Sequence, residues 1–406
     1  MPSGSRAIAL TAAFLGVPAF ASDDAPTLHA LTSVWEADEA EAANAGYDGK
    51  FYIASDDGNA RLNIGGVFQF RYVANFNPED AHTGDSEFSN GFQFRRLRLN
   101  MTGTFKEAGV DFKIQAEFAS GFGRLLDAVV RKSFDDGVWI LVGQHEVSYT
   151  REVEAPSSKQ LAIERSLAEE VFGLDRATGI ALGIDRDRWR ARGTLSDGRR
   201  GSNSAFYDES EADVALTARA ELRLFDAPWK QFDDLTAFPD SKRGLLLGAG
   251  LHWQVDGNIP SPGVRGENDR LLQGTLDASY EDAGWNAMIA GHFRSIDADS
   301  DAVDFGLVAQ AGAFLDEHNE VYTRFVQLWP DPDRDHSDPF STIAVGTNHY
   351  FIPDSHAAKL SVEGNLLLSD TVSSSSIVFT PNVSQGILAG DEAGQFILTA
   401  QLQLVF

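Results

Sequence analysis

Cysteine is absent from the 406 residues of this sequence. Its absence excludes a disulfide scaffold, a thiolate metal site and a cysteine nucleophile. The formal net charge of −27 argues against nucleic acid or an anionic membrane surface as a partner, because like charges repel. The nine histidines have no spacing typical of a zinc site, so we expect no metal and no cofactor.

Long hydrophobic runs are scarce, and the clearest lies at the start of the chain. Residues 7–17 are apolar and follow Arg6, the first charged residue. Ala19 and Ala21 then supply the small side chains of a signal-peptidase site. We therefore predict a cleaved signal peptide over residues 1–21, which directs the chain out of the cytoplasm.

The segment after the signal peptide is rich in acid and alanine. We assign residues 22–58 to an acidic periplasmic N-terminal segment, in which residues 22–50 form a short helix or a disordered arm. Beyond it, no run approaches the ~18 apolar residues that a membrane-spanning helix needs.

From residue 59 onward, apolar and polar residues alternate in long segments separated by clusters of Gly, Asp, Asn and Pro. Only strands have a two-residue side-chain period. Segments of about ten residues suit a tilted strand that crosses a bilayer. The sequence therefore predicts an all-β fold, a transmembrane antiparallel β-barrel over residues 59–406. Sixteen segments fit the pattern, at residues 61–76, 92–105, 110–119, 125–134, 138–149, 178–186, 188–196, 212–225, 243–255, 270–281, 285–296, 303–315, 318–329, 340–352, 357–369 and 395–406.

The links between these segments alternate in length. Links after even-numbered segments are short turns, whereas most of those after odd-numbered segments are longer. Outer-membrane barrels have this asymmetry, with short turns on the periplasmic side and long loops outside. The link over residues 226–242 is an exception, because it is long where a short turn is expected.

The last segment indicates which face meets lipid. A barrel in a bilayer turns its apolar face outward, because lipid offers no hydrogen-bond partners. We expect the outward side chains of this segment to be Phe396, Leu398, Ala400, Leu402, Leu404 and Phe406.

The opposite face of each strand then lines the lumen. By this alternation, basic residues outnumber acidic ones inside, which predicts a preference for anions in the pore. The residues expected to line the pore and set its selectivity are Arg71, Arg96, Arg98, Lys113, Arg131, Arg190, Arg192, Arg219, Arg223, Arg294 and Arg324.

Several segments of the first third of the barrel are similar to the phosphate-selective porin O/P family of outer-membrane porins. The resemblance implies a homotrimeric, sixteen-stranded channel whose long third external loop folds into the pore. The segments that carry the resemblance are residues 62–70, 91–99, 110–118, 125–128, 143–152 and 162–168.

In this sequence that constriction loop would cover residues 150–177. Lys159 is its only lysine. The resemblance implies instead a lysine-rich constriction for the members of the family that bind phosphate. We therefore expect arginine to carry the anion preference here. The basic residues of the loop are Arg151, Lys159, Arg165 and Arg176.

The functional prediction is passive diffusion of small hydrophilic solutes, anionic or neutral, through an outer-membrane porin. Phosphate or a similar anion would be preferred, outer-membrane lipid would surround the barrel, and no reaction would be catalysed. Two alternatives remain open: a non-conducting barrel that acts as an adhesin or binding protein, and a barrel hydrolase. For the hydrolase, His145 and Ser148 are the nearest candidate pair in the sequence.

Overall fold

The computed structural model describes residues 44–78, 88–205, 208–260, 268–334, 337–371, 377–390 and 392–406. The predicted signal peptide and most of the acidic segment lie outside these ranges. Within them, no helix is both long enough and apolar enough to cross a bilayer.

Eighteen strands follow one another within the described residues, and all of their pairings are antiparallel. Strands β3 to β18 form the barrel, which closes where β18 pairs with β3, from Phe396 opposite Phe76 to Val405 opposite Val67. The strands are β1 (Ala45–Tyr47), β2 (Phe51–Ala54), β3 (Ala60–Phe76), β4 (Phe88–Phe105), β5 (Val110–Glu117), β6 (Arg124–Ser133), β7 (Val138–Glu146), β8 (Arg176–Asp185), β9 (Trp189–Ser196), β10 (Val214–Phe225), β11 (Gly244–Val255), β12 (Arg270–Asp282), β13 (Trp285–Asp297), β14 (Ala302–Phe314), β15 (Asn319–Trp329), β16 (Phe340–Tyr350), β17 (Ala358–Leu367) and β18 (Phe396–Val405).

This closed barrel confirms the predicted fold class and the count of sixteen strands. The alternating segments and the barrel strands agree to within a few residues at nearly every end. Closure leaves no unpaired edge among the sixteen barrel strands, which is what a sheet surrounded by lipid requires.

A short hairpin precedes the barrel. Strands β1 and β2 pair with each other, and β2 continues the sheet against the beginning of β3, with Phe51 opposite Ile64. The expectation of a helix or a disordered arm over residues 22–50 is wrong for β1. The alternation around Tyr47, Phe51 and Ile53 is short, but pairing with a strand that is already fixed stabilises it.

The outward face of the barrel is apolar, as predicted for β18. Phe396, Leu398 and Leu404 each expose more than a third of their surface, whereas Gln401 and Gln403 on the other face are almost fully buried. An apolar exterior with a polar interior reverses the arrangement of a soluble barrel and suits a lipid environment.

Two connections are far longer than the others, and described residues of both pack inside the barrel. The inner loop, residues 147–175, joins β7 to β8 and contains helix α1 (Arg151–Glu154) and helix α2 (Leu167–Phe172). The hydroxyl of Thr150 accepts a hydrogen bond from the backbone N–H of Val153, and that of Ser166 accepts one from the N–H of Glu169. These N-caps satisfy helix-end donors that would otherwise be left without partners.

The second long connection lies between β17 and β18, and residues 377–390 within it are called the mouth segment. At the opposite end of the barrel, residues 226–243 join β10 to β11 and include a 3₁₀ helix, Trp229–Asp233. This turn-side loop contains the link over residues 226–242, which is longer than the short turn expected from the sequence. A further 3₁₀ turn, Asp135–Gly137, connects β6 to β7.

Candidate functional site in the barrel interior

One side of the barrel interior is filled by apolar packing. Leu161, Leu167 and Phe172 of the inner loop are nearly inaccessible to solvent and join one core cluster with wall residues of β13 to β18. We call this side the apolar sector. Gly306 on β14 makes room for the loop, because a Cβ atom at this position would lie 2.4 Å from the ring of Phe172. Burial of these side chains fixes the inner loop against this wall.

The opposite side of the interior, along β4 to β9, is polar and contains open space. We call it the polar sector. Its outer vestibule, at the long-loop end, is a cavity of about 600 Å³. Seven arginines and five carboxylates line it: Arg95, Arg96, Arg98, Arg124, Arg165, Arg176, Arg200, Glu117, Glu164, Glu169, Glu170 and Asp175.

Glu164 of the inner loop is the acceptor for three wall arginines. Its carboxylate lies 3.0 Å from Nη1 of Arg71, 2.5 Å from Nε of Arg95 and 2.8 Å from Nη2 of Arg96. Burial acts to raise the pKa of Glu164, but the three guanidinium groups outweigh it and hold the pKa well below its usual range. This cluster fastens the inner loop to the wall of β3 and β4.

Arg95 belongs to this cluster although alternation along β4 would direct it outward. The register between β3 and β4 shifts at Gln69 and Phe70, where Gln69 pairs with Arg96 and Phe70 pairs with Phe94. Arg95 is thus the extra residue of a β-bulge, and the bulge turns two consecutive arginines toward the interior. A strict two-residue period misses Arg95 for this reason.

Further ion pairs lie deeper in the polar sector. Arg176 Nε lies 2.9 Å from Asp127, whose second oxygen lies 2.6 Å from Nζ of Lys113. Arg165 lies 2.6 Å from Glu146. Asp127, Glu146 and Lys113 border a second cavity of about 220 Å³, whereas Arg176 borders the vestibule. The ion pairs of Arg176 therefore lie where the two cavities approach each other.

Arg98 is placed between these two groups of ion pairs. Its Nε lies 2.8 Å from Glu117, and its Nη1 donates to the hydroxyl of Ser157 in the inner loop. The residue thus contacts both the wall and the inner loop.

Other predicted pore residues lie inside the barrel but are enclosed by partners. Arg219 binds Asp277, and Arg294 lies 2.6 Å from Asp304. Arg324 donates to the backbone carbonyl of Glu164 at 2.6 Å. These three side chains hold the interior together and do not line the vestibule.

The remaining predicted basic residues lie nearer the turn end. Arg190 and Arg192 both pair with Glu221. Arg131 lies 3.4 Å from Asp185, and Arg223 lies 3.1 Å from Asp187. Their charges are thus shared with carboxylates.

The turn-side loop meets the inner loop inside the barrel. Arg151 donates to the carbonyl of Asp234 at 2.7 Å, and the N–H of Leu235 donates to the carbonyl of Lys159 at 3.1 Å. A cavity of about 590 Å³ opens at this end, with Lys159, Asp234 and His356 among its lining residues. The inner loop is therefore supported from the turn end as well as from the wall.

The mouth segment supports the inner loop from the other end. Arg71 donates to the carbonyls of Val383 and Ser384 at 3.0 and 2.9 Å. The Gln385 amide donates to the carbonyl of Arg165 at 2.9 Å. Val383, Ser384 and Gln385 also line the vestibule, so the mouth segment narrows the opening that the inner loop leaves.

The two residues considered for a hydrolase bind other groups. Nδ1 of His145 lies 3.1 Å from the carbonyl of Gly143, and the hydroxyl of Ser148 donates to Glu154. Across the part of the chain that the structure describes, no three His, Asp or Glu side chains are grouped to hold a metal ion.

Comparison with known proteins agrees with this architecture. The family model for phosphate-selective porin O and P matches residues 62–221, which span β4 to β9 and so the polar sector. The resemblance noted in the sequence is thereby confirmed. Among curated proteins, no relative matches the chain.

Solved structures share the fold at low sequence identity. The anion-selective porin from Comamonas acidovorans is 14% identical, with a TM-score of 0.59 over 86% of this chain and 100% of that one. OmpT of Vibrio cholerae is 10% identical, with a TM-score of 0.60 over 87% and 99%. The outer membrane channel DcaP of Acinetobacter baumannii is 11% identical, with a TM-score of 0.57 over 87% and 99%.

Proposed function

We propose that this chain is an outer-membrane porin through which small hydrophilic solutes diffuse passively, with a preference for anions. The observation that carries the proposal is the arginine-rich vestibule inside a closed barrel with an apolar exterior. A water-accessible, charged interior within a lipid-facing wall suits a diffusion channel. The fold and the family match point to a channel rather than to an enzyme.

The preference for anions rests on the charges that face the open space. Arginines outnumber carboxylates on the vestibule wall although the whole chain carries a net charge of −27. Arg124 and Arg200 are exposed and belong to the vestibule lining, so an entering solute would meet them. Charges on the walls of a narrow pore act on the permeating ion far more strongly than distant surface charges do.

The inner loop is the proposed constriction element, with Arg165 as its basic residue on the vestibule. The loop packs against the apolar sector and fills that side of the interior. A solute would therefore pass on the other side, between the loop and the wall of β4 to β9. Fixed contacts at the wall, the mouth segment and the turn-side loop would keep the width of this passage constant.

A homotrimer is the proposed assembly. One solved form of the fold relative OmpT is described as a trimer, and the same fold offers this chain a similar outer wall. Phosphate, which the family model names, is the first anion to test as a solute.

The test is single-channel recording with the purified mature chain in planar bilayers. Stepwise conductance, with a reversal potential in a salt gradient that indicates anion permeation, is the expected result. Block by added phosphate would identify phosphate as a bound solute. A folded barrel that gives no conductance would contradict the porin and favour the adhesin.

A further inference from the structure

Three guanidinium groups converge on one point beside the vestibule. Arg71 and Arg96 are almost fully buried, and Arg95 keeps about a quarter of its side chain exposed. Their N–H groups donate five hydrogen bonds to the carboxylate oxygens of Glu164, over distances of 2.5 to 3.2 Å. We call the three arginines the arginine cradle.

The cradle has the chemistry of an oxyanion site. Guanidinium groups bind carboxylate and phosphate oxygens with paired, directed hydrogen bonds. Three guanidinium groups share the single carboxylate of Glu164, which alone does not neutralise the cradle, and Glu363 is a further negative charge near Arg71. Arg95, Arg96 and Glu164 all line the vestibule, so a solute anion in the vestibule reaches the same donors.

Glu164 itself stands where a solute anion would bind. It belongs to the inner loop, whereas the cradle belongs to the wall strands β3 and β4. The carboxylate is therefore a tethered competitor at high effective concentration. An external anion binds the cradle only to the extent that it shares or displaces these hydrogen bonds.

We propose that Arg71, Arg95 and Arg96 form an oxyanion-binding site that Glu164 occupies in the resting pore, and that Glu164 thereby sets how tightly the pore holds a passing anion. The proposal rests on the proposed porin function and names the residue that tunes it. A channel conducts only if binding is weak enough for release. Without Glu164 the cradle would trap oxyanions, and with it the anions exchange quickly.

Two substitutions, each of which removes one negative charge, distinguish competition at the cradle from the effect of net charge. Glu164→Gln removes the competing charge but keeps the size of the side chain. Glu170→Gln removes a charge from the same loop and the same vestibule, but the Glu170 carboxylate accepts from Asn382, not from the cradle. Comparing them cancels the effect of net charge.

The measurement is calorimetric titration of inorganic phosphate into the purified, folded full-length barrel in detergent, with heat-modifiable gel mobility as the folding check. We expect Glu164→Gln to lower the phosphate Kd at least tenfold, about 1.4 kcal/mol. Glu170→Gln should change it at most about twofold. Adding Arg95→Gln to Glu164→Gln should reverse the gain, because it removes the most exposed of the three cradle arginines.

Equal shifts in the two single variants, or no shift in Glu164→Gln, would overturn the proposal. If Glu164→Gln does not fold, Glu164→Asp replaces it, since the shorter side chain withdraws the carboxylate from the cradle. An unchanged Kd in Glu164→Asp would then overturn the proposal. Phosphate binding does not depend on conductance, so a wild-type chain that fails to conduct would contradict the porin and leave this comparison valid.

Discussion

Arg219 and Asp277 form a two-bond ion pair inside the barrel, at 2.8 and 3.0 Å, and neither side chain is exposed to solvent. Arg219 also donates to the carbonyl of Tyr149 at 2.8 Å. The pair thus joins wall strands β10 and β12 to the beginning of the inner loop. Its position indicates a structural role for an arginine that sequence alternation alone assigns to the pore lining.

We predict that Asp277→Asn destabilises the barrel by about 3 kcal/mol, because it leaves the charge of a buried arginine only partly compensated. Glu221 remains as a second partner, 3.0 Å from Arg219, which keeps the loss at the lower end of the usual range. Urea unfolding of the lipid-embedded barrel, followed by tryptophan fluorescence, measures the change. Asp299→Asn, at an exposed loop position, is the control and should leave the unfolding midpoint unchanged.

Reversing the exposed vestibule charges should reverse the selectivity. Arg124→Glu combined with Arg200→Glu places two carboxylates on the wall of the outer cavity. The reversal potential in a salt gradient should move toward that of a cation-preferring pore, and the shift should shrink at high ionic strength. Arg270→Glu changes an exposed arginine outside the vestibule lining. An equal shift in that variant would show that selectivity follows total charge rather than the vestibule.

Glu169 should make the anion preference depend on pH. Burial, reinforced by Glu152 and opposed by Arg165, raises the pKa of Glu169 to about 8. Glu169 also accepts from Thr150 and lines the vestibule. It is therefore neutral near pH 7 and becomes negatively charged as the pH rises through about 8.

The anion-to-cation permeability ratio should accordingly fall between about pH 7 and pH 9. The free energy of unfolding should also fall as the pH rises. The pKa of Glu169 is higher in the folded protein than in the unfolded chain, so its contribution to stability is complete below the unfolded pKa and is lost as the pH rises through about 8. Glu169→Gln should abolish the pH step in reversal potential, and Glu170→Gln should retain it. A step that survives in Glu169→Gln would assign the titration to another group.

Removing part of the mouth segment should widen the pore. Deletion of residues 380–386 takes away Val383, Ser384 and Gln385, which line the vestibule. Single-channel conductance should rise roughly twofold or more, because the access path to the narrow region becomes wider. Phe379→Ser alters an exposed residue of the same segment and should leave conductance as it is. Unaltered conductance in the deletion would mean that the inner loop alone limits the current.

The barrel itself is predictable from the sequence because a two-residue period extends over each strand. In β18, for example, one face meets lipid and the other meets packed polar residues, so both faces constrain the sequence. Arg95 escapes the same reasoning, since the bulge at Gln69 and Phe70 shifts the alternation by one residue.

The contents of the lumen are less predictable because they depend on contacts between distant residues. Arg151 meets Asp234, and Arg71 meets Val383, across long stretches of chain. Alternation assigns both Arg98 and Arg219 to the interior, yet the structure encloses Arg219 and leaves Arg98 beside the vestibule. The partner of each arginine, rather than the face it occupies, decides whether its charge meets a solute.

The division of the lumen into a polar and an apolar sector has an evolutionary consequence. The polar sector uses strands β4 to β9, whereas the apolar sector that seats the inner loop uses β13 to β18. Substitutions in the first half of the barrel can therefore alter which solutes pass while the seat of the loop stays intact. A lineage can thus change solute preference through the polar wall of the first half while the apolar packing of the inner loop against the second half is kept.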